Sequence, residues 1–362
     1  MTISVAQLKR DCRSFRGDLP CKPHKLHGVH CVDEKGTTCE YYDPTGKRIL
    51  IIKLGAIGDV IRTTPLLRKL KEAEPDAEIW WLTLSPEVLP KQWIDVLLPF
   101  TPQSLATLQA TAFDTIYCLD KDKDACALNL MLASRVKKGY TLENGKCVPV
   151  NNDADHKYLT GVFDDISKAN TKSYQEEIFE ICGFRFAKEE NIMPDVDGFV
   201  WKLPKKKRIV GLNTGCGGRW TSRLWPEPNW IALAKKLKTA GYVPLLLGGE
   251  QEHEKNKKLA KASGAQYLGH FPLKQFISEV NQCELVVTAV TMAMHLTIGL
   301  QKKIVLFNNI FNKYEFELYG RGEILEPDFD CDCFYAPTCP NNCMQYLSVK
   351  TVFDACQRLL KR

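Results

Sequence analysis

Apolar and polar positions follow two rhythms along this chain. Short, nearly continuous apolar runs stand at 48–54 (RILIIKL), 77–83 (AEIWWLT) and 113–120 (FDTIYCLD). Apolar residues recur at helical spacing in 63–75 (TTPLLRKLKEAEP), 125–134 (ACALNLMLAS) and 173–184 (SYQEEIFEICGF). Strands buried on both faces lose the in–out alternation of an open sheet. The mixture therefore predicts an α/β fold, a parallel sheet covered by helices on both sides. A polar stretch at 186–207 interrupts the pattern and is the candidate linker. The pattern then restarts, with strands predicted at 208–215, 242–249, 284–290 and 302–308 and helices at 226–241, 250–264, 273–283, 291–300 and 348–362. Pro226 opens the first of these helices and Gly241 follows it, the expected asymmetry of helix ends.

The pattern divides the chain into an N-terminal α/β domain at 46–195, a second at 205–347 and a closing helix at 348–362. Residues 1–45 differ from the rest. They are polar, rich in Cys and His, and too poor in aliphatic residues to build a core without a staple. Two α/β halves joined by one linker are expected to leave a cleft at the carboxyl ends of their strands, where open sheets bind ligands.

Composition narrows the partners more than the fold. With 44% hydrophobic and 25% charged residues, the 362-residue chain falls in the ordinary globular class. Its net charge of +6 is mild and dispersed, apart from Lys205-Lys206-Lys207-Arg208 and Lys361-Arg362. That balance argues against nucleic acid and suits an anionic small molecule or a membrane surface, or simply a solvated exterior. No apolar run reaches the length of a membrane span, and MTISVAQLKRDCRSFRGD lacks an apolar signal core. A cytoplasmic protein is expected, with its 15 cysteines present as thiols or metal ligands.

Candidate chemistry collects at the strand-to-helix junctions. Gly55-Ala56-Ile57-Gly58-Asp59 has the glycines of a phosphate-binding turn but ends in a carboxylate. In the second half, NTGCGGRWTSRLWPE brings glycines that let the backbone approach a phosphate, with Arg219 and Arg223 to neutralise a diphosphate. Glu250, after Gly248-Gly249, either caps a helix or accepts a ribose hydrogen bond. His295 lies about a turn into the next helix, where both a structural and a ligand-facing role are open. These loops share one sheet edge and describe a nucleotide pocket. Neither G-x-G-x-x-G nor G-x-x-x-x-G-K-[ST] is present, which disfavours hydride transfer and P-loop hydrolysis.

ILIIKLGAIGDVIRTTPLLRKLKEAEPDAEIWWLT, GLNTGCGGRWTSRLWPEPNWIALAKKL, LLLGGEQEHE, the MHL around His295 and CDCFYAPTCPNNCM together resemble glycosyltransferase family 9, the lipopolysaccharide heptosyltransferases. The resemblance runs from about Arg48 to the C-terminus. It implies a GT-B architecture, two facing Rossmann-like domains, here with a Cys-rich N-terminal appendage. It also implies inverting, metal-independent transfer of heptose from ADP-heptose to a lipopolysaccharide-core or other saccharide acceptor, by a cytoplasmic enzyme that touches the inner membrane peripherally. Carried over by residue, it makes Asp59 the general base. It places Thr221, Ser222 and Arg223 at the donor diphosphate, Glu250 at the ribose, and Thr291 and His295 near the donor phosphates. Arg62, three residues past Asp59, is a candidate for an acidic acceptor or a plain surface arginine. Where the family carries an acid and a glycine, this chain has Val290 and Met292. A non-catalytic or altered-donor relative is the alternative reading.

The cysteines form two groups. Cys12, Cys21, Cys31 and Cys39 are interleaved with His24, His27 and His30, while Cys331, Cys333, Cys339 and Cys343 lie near the C-terminus. Four thiolates suit a tetrahedral zinc or an iron. A structural metal is favoured for the N-terminal group, whose segment has no other means of folding. For the C-terminal group a metal and reduced thiols in a local turn stand equal.

Overall fold

The computed structural model describes residues 4–33, 35–196, 198–204 and 206–361. Lys205, in the basic cluster and at the expected start of the second domain, and Arg362 of the basic tail lie outside them.

The chain forms two units, each built on a parallel sheet. The first comprises residues up to Leu54, Leu67–Leu84 and Lys91–Val150; the second takes Gly55–Leu66, Ser85–Pro90 and everything from Asn151 on. The stretch 151–195 thus belongs with the second sheet, as does the turn that carries Asp59. Helix Tyr174–Cys182 accounts for part of this, because its first residue meets helix Ile57–Thr63 through the hydroxyls of Tyr174 and Thr63, 3.4 Å apart.

In the first unit, β1 (Arg48–Ile52), β2 (Glu78–Thr83), β3 (Val96–Pro99), β4 (Phe113–Cys118), β5 (Ser134–Glu143) and β6 (Lys146–Pro149) stand in the order β3-β2-β1-β4-β5-β6. All pairings are parallel except β5 with β6. β1 is central, so Leu50 and Ile52 are fully buried, and both pack in one cluster with Leu82 and Ile116. At the carboxyl ends of β1 and β4, the buried ammonium of Lys53 pairs with Asp120, which also accepts from the Leu54 amide. A buried charge of either sign is tolerated only with such a partner.

Residues ahead of β1 contribute almost nothing to a core. Among those described, Val32 is the one buried hydrophobic. A guanidinium fork holds the segment instead: Arg13 reaches Asp43 at 3.1 Å, Asp95 at 2.6 Å and the Asp76 carbonyl at 2.9 Å. Arg suits this task because its donors are set in a rigid plane.

In the second unit, β7 (Ile209–Asn213), β8 (Val243–Leu247), β9 (Leu285–Ala289), β10 (Lys303–Phe307) and β11 (Gly322–Leu325) form an all-parallel sheet in the order β11-β10-β9-β7-β8. β7, β8 and β9 are buried at every position, as their solid apolar sequences require. Helices Glu227–Thr239 and Val349–Lys361 share one core cluster with this sheet, centred on Trp225, Trp230 and Phe307. The two indoles meet edge to face at 5.0 Å, and Trp225 Nε1 donates to the Leu347 carbonyl. Among the described residues, no helix is long and apolar enough to cross a membrane.

The structure departs from the expected elements at polar strands. The helix expected at 125–134 ends at Met131, and Ser134 opens β5, whose SRVKKGYTLE sequence has no apolar run. Partner strands, not its own hydrophobicity, make it a strand.

Helix Leu273–Asn281 carries Glu279, which is 1% exposed and has no hydrogen bond to either carboxylate oxygen among the described residues. Burial pushes this carboxyl up to about 8. An acid whose folded pKa is raised supports the fold fully below its unfolded value near 4.5, and loses that support as pH rises towards 8. Glu279→Gln removes the dependence. Its stability relative to wild type should therefore climb between pH 5 and pH 8, by on the order of 3 kcal/mol. Urea unfolding at the two pH values tests this, and an equal difference at both would refute it.

Candidate functional site

A cavity of about 840 Å³ opens in the second unit, within the range of small-ligand sites. Its walls come from the start of helix Ile57–Thr63 and from the loops that follow β7, β8, β9 and β10. These are carboxyl ends of parallel strands, the edge where such sheets bind ligands.

Gly58 explains part of the opening motif. A Cβ on it would stand 2.1 Å from Cδ2 of His295, so only glycine lets helix Ile57–Thr63 close onto helix Met292–Gly299. His295 is buried, and that burial, with Arg62 nearby, pushes its imidazole down to about 3. The ring is neutral at physiological pH. Gly58→Ala forces the two helices apart and should cost about 1–3 kcal/mol of stability. A melting temperature within 1 °C of wild type would show that the contact is dispensable.

Next to Gly58, Asp59 and Arg62 both line the cavity and pair with each other. Nη2 and Nε of Arg62 reach the same oxygen of Asp59, Oδ1, at 2.8 and 3.0 Å. The guanidinium lies 3.6 Å from the ring centre of Tyr174. Burial opposes its charge, but Asp59 first, then Tyr174 and Glu315, hold its pKa above the usual arginine value. Arg62 is therefore a fixed cation rather than a surface arginine. Glu315 lines the same wall, buried, and accepts from the Tyr335 hydroxyl at 3.2 Å.

Arg223 supplies the cation elsewhere in the cavity wall. It sits in the short 3-10 turn Thr221–Arg223 and is buried. Its guanidinium donates to main-chain carbonyls of Val290, Cys216 (3.0 Å) and Trp220 (3.4 Å). No carboxylate lies within ion-pair reach of it among the described residues, and burial lowers its pKa. A buried cation tied to carbonyls is electrostatically ready for an anion. The side chain of Val290 packs among Met294, Ile298 and Phe311, so only its carbonyl serves Arg223.

The remaining expected residues separate into two sets. Thr291 and His295 line the cavity, and Asn213 donates to the hydroxyls of Thr288 and Thr291 at 3.0 and 3.3 Å. Thr221, Ser222 and Glu250 are not in its walls. Ser222 turns to the C-terminal cysteine loop, donating from Oγ to the Ala336 carbonyl at 2.8 Å and from its amide to Pro337 at 3.0 Å. Thr221 Oγ1 also points to the Pro337 carbonyl. Glu250 opens a 3-10 turn whose last residue, Glu252, folds back to accept from the Gly249 amide at 3.0 Å. That turn brings Glu252 to the cavity, beside Gly215 and Gly248, where any side chain would collide with it.

The two cysteine groups behave differently. The sulfurs of Cys331, Cys333, Cys339 and Cys343 lie within 4.8 Å of one another, at 3.5 Å between Cys331 and Cys339 and 3.6 Å between Cys333 and Cys343. A tetrahedron of thiolates around one ion has edges of roughly 3.8 Å. Two N–H donors support thiolate charge: Asn309 Nδ2 at 3.3 Å from Cys343, and the Cys343 amide at 3.5 Å from Cys339. The residues fit a mononuclear metal. Cys12, Cys21, Cys31 and Cys39, the favoured metal group on sequence grounds, are not gathered in this way among the described residues. They line a cavity of about 30 Å³ with His30 and Tyr42, in a segment held by the Arg13 fork.

Trp220, Phe311, Glu315 and Tyr335 line the cavity, though the sequence does not single them out. Each sits in a loop whose position relative to the sheet depends on distant residues. The one local signal is Trp220, inside the stretch rich in glycine and arginine.

The sequence pattern of glycosyltransferase family 9 (heptosyltransferase) matches residues 105–311. A comparison with curated protein sequences finds no match. Among solved structures, the chain is similar to the family 9 glycosyltransferase of Veillonella parvula, with a TM-score of 0.67 and 17% identity over 88% of this chain and 98% of that one. It is also similar to E. coli ADP-heptose lipopolysaccharide heptosyltransferase II, with 0.63 and 16% over 87% and 98%. TibC of enterotoxigenic E. coli, an iron-containing dodecameric glycosyltransferase, aligns with 0.55 and 11% over 88% and 79%. The fold is GT-B, with a Rossmann-like sheet in each unit. From the match over residues 105–311, more than half of its length, the chain belongs to glycosyltransferase family 9, the heptosyltransferases.

Proposed function

We propose that the protein transfers a sugar from a nucleotide-sugar donor, of the ADP-heptose type, to a saccharide acceptor such as the lipopolysaccharide core, with inversion. The observation that carries this reading is the presence in one cavity of Asp59 and of Arg223, a buried cation that has no carboxylate partner among the described residues. An acceptor hydroxyl is a poor nucleophile until a base takes its proton, and Asp59 is the carboxylate for that task. As the new bond forms at the anomeric carbon, the bond to the diphosphate breaks and negative charge moves onto the departing oxygens. In this reading Arg223 meets that charge without a catalytic metal. Arg62 holds Asp59 through Oδ1. In this reading Arg62 orients the base and faces an acidic acceptor. The Cys331–Cys343 set holds a structural iron or zinc. The enzyme works in the cytoplasm, at the membrane face where a lipid-linked acceptor lies, and has no nucleic-acid partner.

Val290 favours one variation, a donor other than ADP-heptose. It offers Arg223 only a carbonyl, its side chain packing in an apolar cluster, where the family carries an acid. A donor screen on purified protein tests both readings. Calorimetry with ADP-heptose and other nucleotide sugars is followed by product detection on saccharide acceptors. Transfer from ADP-heptose supports the first reading, and transfer from another donor alone supports the second. Binding without any product would leave a non-catalytic relative and refute both.

A further inference from the structure

We infer that the metal-binding cysteine loop is a wall of the donor cavity, and that its metal sets the position of Arg223 and Tyr335. This rests on the donor and metal readings above.

The loop from Cys331 to Cys343 has little regular structure; its one helical element, a 3-10 turn, begins at Cys343. Its interior is the sulfur set itself, with Ile310 and the rings of Trp220 and Phe311 packed against it. Both rings also line the cavity. Between the second and third cysteines, Tyr335 enters the cavity wall, held by its amide on the Ile310 carbonyl at 2.8 Å and by its hydroxyl on Glu315. The next two carbonyls, of Ala336 and Pro337, take the hydroxyl and amide of Ser222. Arg223 is the following residue. Asn309 closes the circuit, with one amide nitrogen 2.9 Å from the Ser222 carbonyl and 3.3 Å from the Cys343 sulfur. The turn that aims Arg223 is therefore bonded on both sides to residues fixed by the sulfurs.

A loop with so small an apolar interior draws its order from what joins its sulfurs, because metal binding to thiolates is folding free energy. Without the ion, the carbonyls at 336 and 337 lose their fixed position and the Thr221–Arg223 turn loses its anchor. The cation then no longer waits at one place for the diphosphate, and donor affinity falls through lost preorganisation. Ser222 is a positioning residue in this scheme and touches no substrate.

The test uses full-length protein, with iron and zinc measured by plasma mass spectrometry and ADP binding by calorimetry. Removal of the metal with a chelator under reducing conditions should weaken ADP binding at least tenfold, and added zinc or ferrous iron should restore it. Cys339→Ser with Cys343→Ser should behave like the stripped protein. Because that double variant can lose its fold, Ser222→Ala serves beside it. It should keep its metal and its circular dichroism spectrum yet bind ADP several-fold more weakly, while Ser222→Thr, which keeps the hydroxyl, stays near wild type. Unchanged ADP affinity after demonstrated metal loss overturns this proposal alone. A protein that takes up no metal overturns the metal reading and this proposal with it. A loaded protein that binds no ADP overturns the donor reading and, again, this proposal.

Discussion

Asp59→Asn should bind ADP within about threefold of wild type and lose transfer by ~10²–10⁴-fold, the usual contribution of a positioned general base. The asparagine keeps an oxygen on Arg62, so the contacts at 2.8 and 3.0 Å have an acceptor in the variant and the arginine is not left as a buried, unpartnered charge. What it loses is the capacity to take a proton. The effect should lie in kcat, with KM for the donor little changed, because the base acts on the acceptor. Turnover within tenfold of wild type would remove Asp59 from the chemistry. Weakened ADP binding with proportionate loss of turnover would instead give it a donor-binding role.

Arg223→Met should lower kcat/KM by ~10²–10³-fold, as removal of a preorganised charge stabiliser does elsewhere, and weaken ADP binding in parallel. The variant also frees the carbonyls of Val290, Cys216 and Trp220 from their donor. A buried acceptor without a partner costs about 1–3 kcal/mol, so a lower melting temperature is expected as well. Activity must be read where the variant is demonstrably folded. Arg223→Lys separates charge from shape: it keeps the cation but cannot span three carbonyls from one rigid plane. If lysine restores ADP binding fully, charge alone is what the site uses. If it fails as methionine does, the fork is the functional feature.

Both variants concern residues that are legible in the linear sequence. Asp59 stands out because a carboxylate ends a glycine turn, and Arg223 because it follows glycines at a strand end. These are arrangements of near neighbours, and the order of residues along the chain preserves them. The same holds for β1, β7, β8 and β9, whose apolar runs report burial on both faces. β5 is not legible in this way, because partner strands rather than its own residues supply the reason for its conformation.

The residues expected at the donor show the same limit at finer scale. The sequence points to Glu250 in a run of acids, while the turn geometry brings Glu252 to the cavity. Thr221 and Ser222 have the composition of a phosphate loop, but the carbonyls they meet come from residues more than a hundred positions away. For the cysteines, composition favours the N-terminal four, while the structure gathers the C-terminal four.

The class of fold, the restart of the α/β pattern near residue 208 and the two candidate charges of opposite sign, Asp59 and Arg223, are all written in the linear chain. Periodicity and turn composition are set by interactions between near neighbours, so they can be read in order. That Asp59 and Arg223 share a cavity, that Gly58 is small because His295 needs the space, and that a cysteine loop braces the arginine are products of the folded molecule alone. Those facts are distances between residues far apart in the chain. They exist only once the second unit has folded and the loops that line its cavity have taken their places.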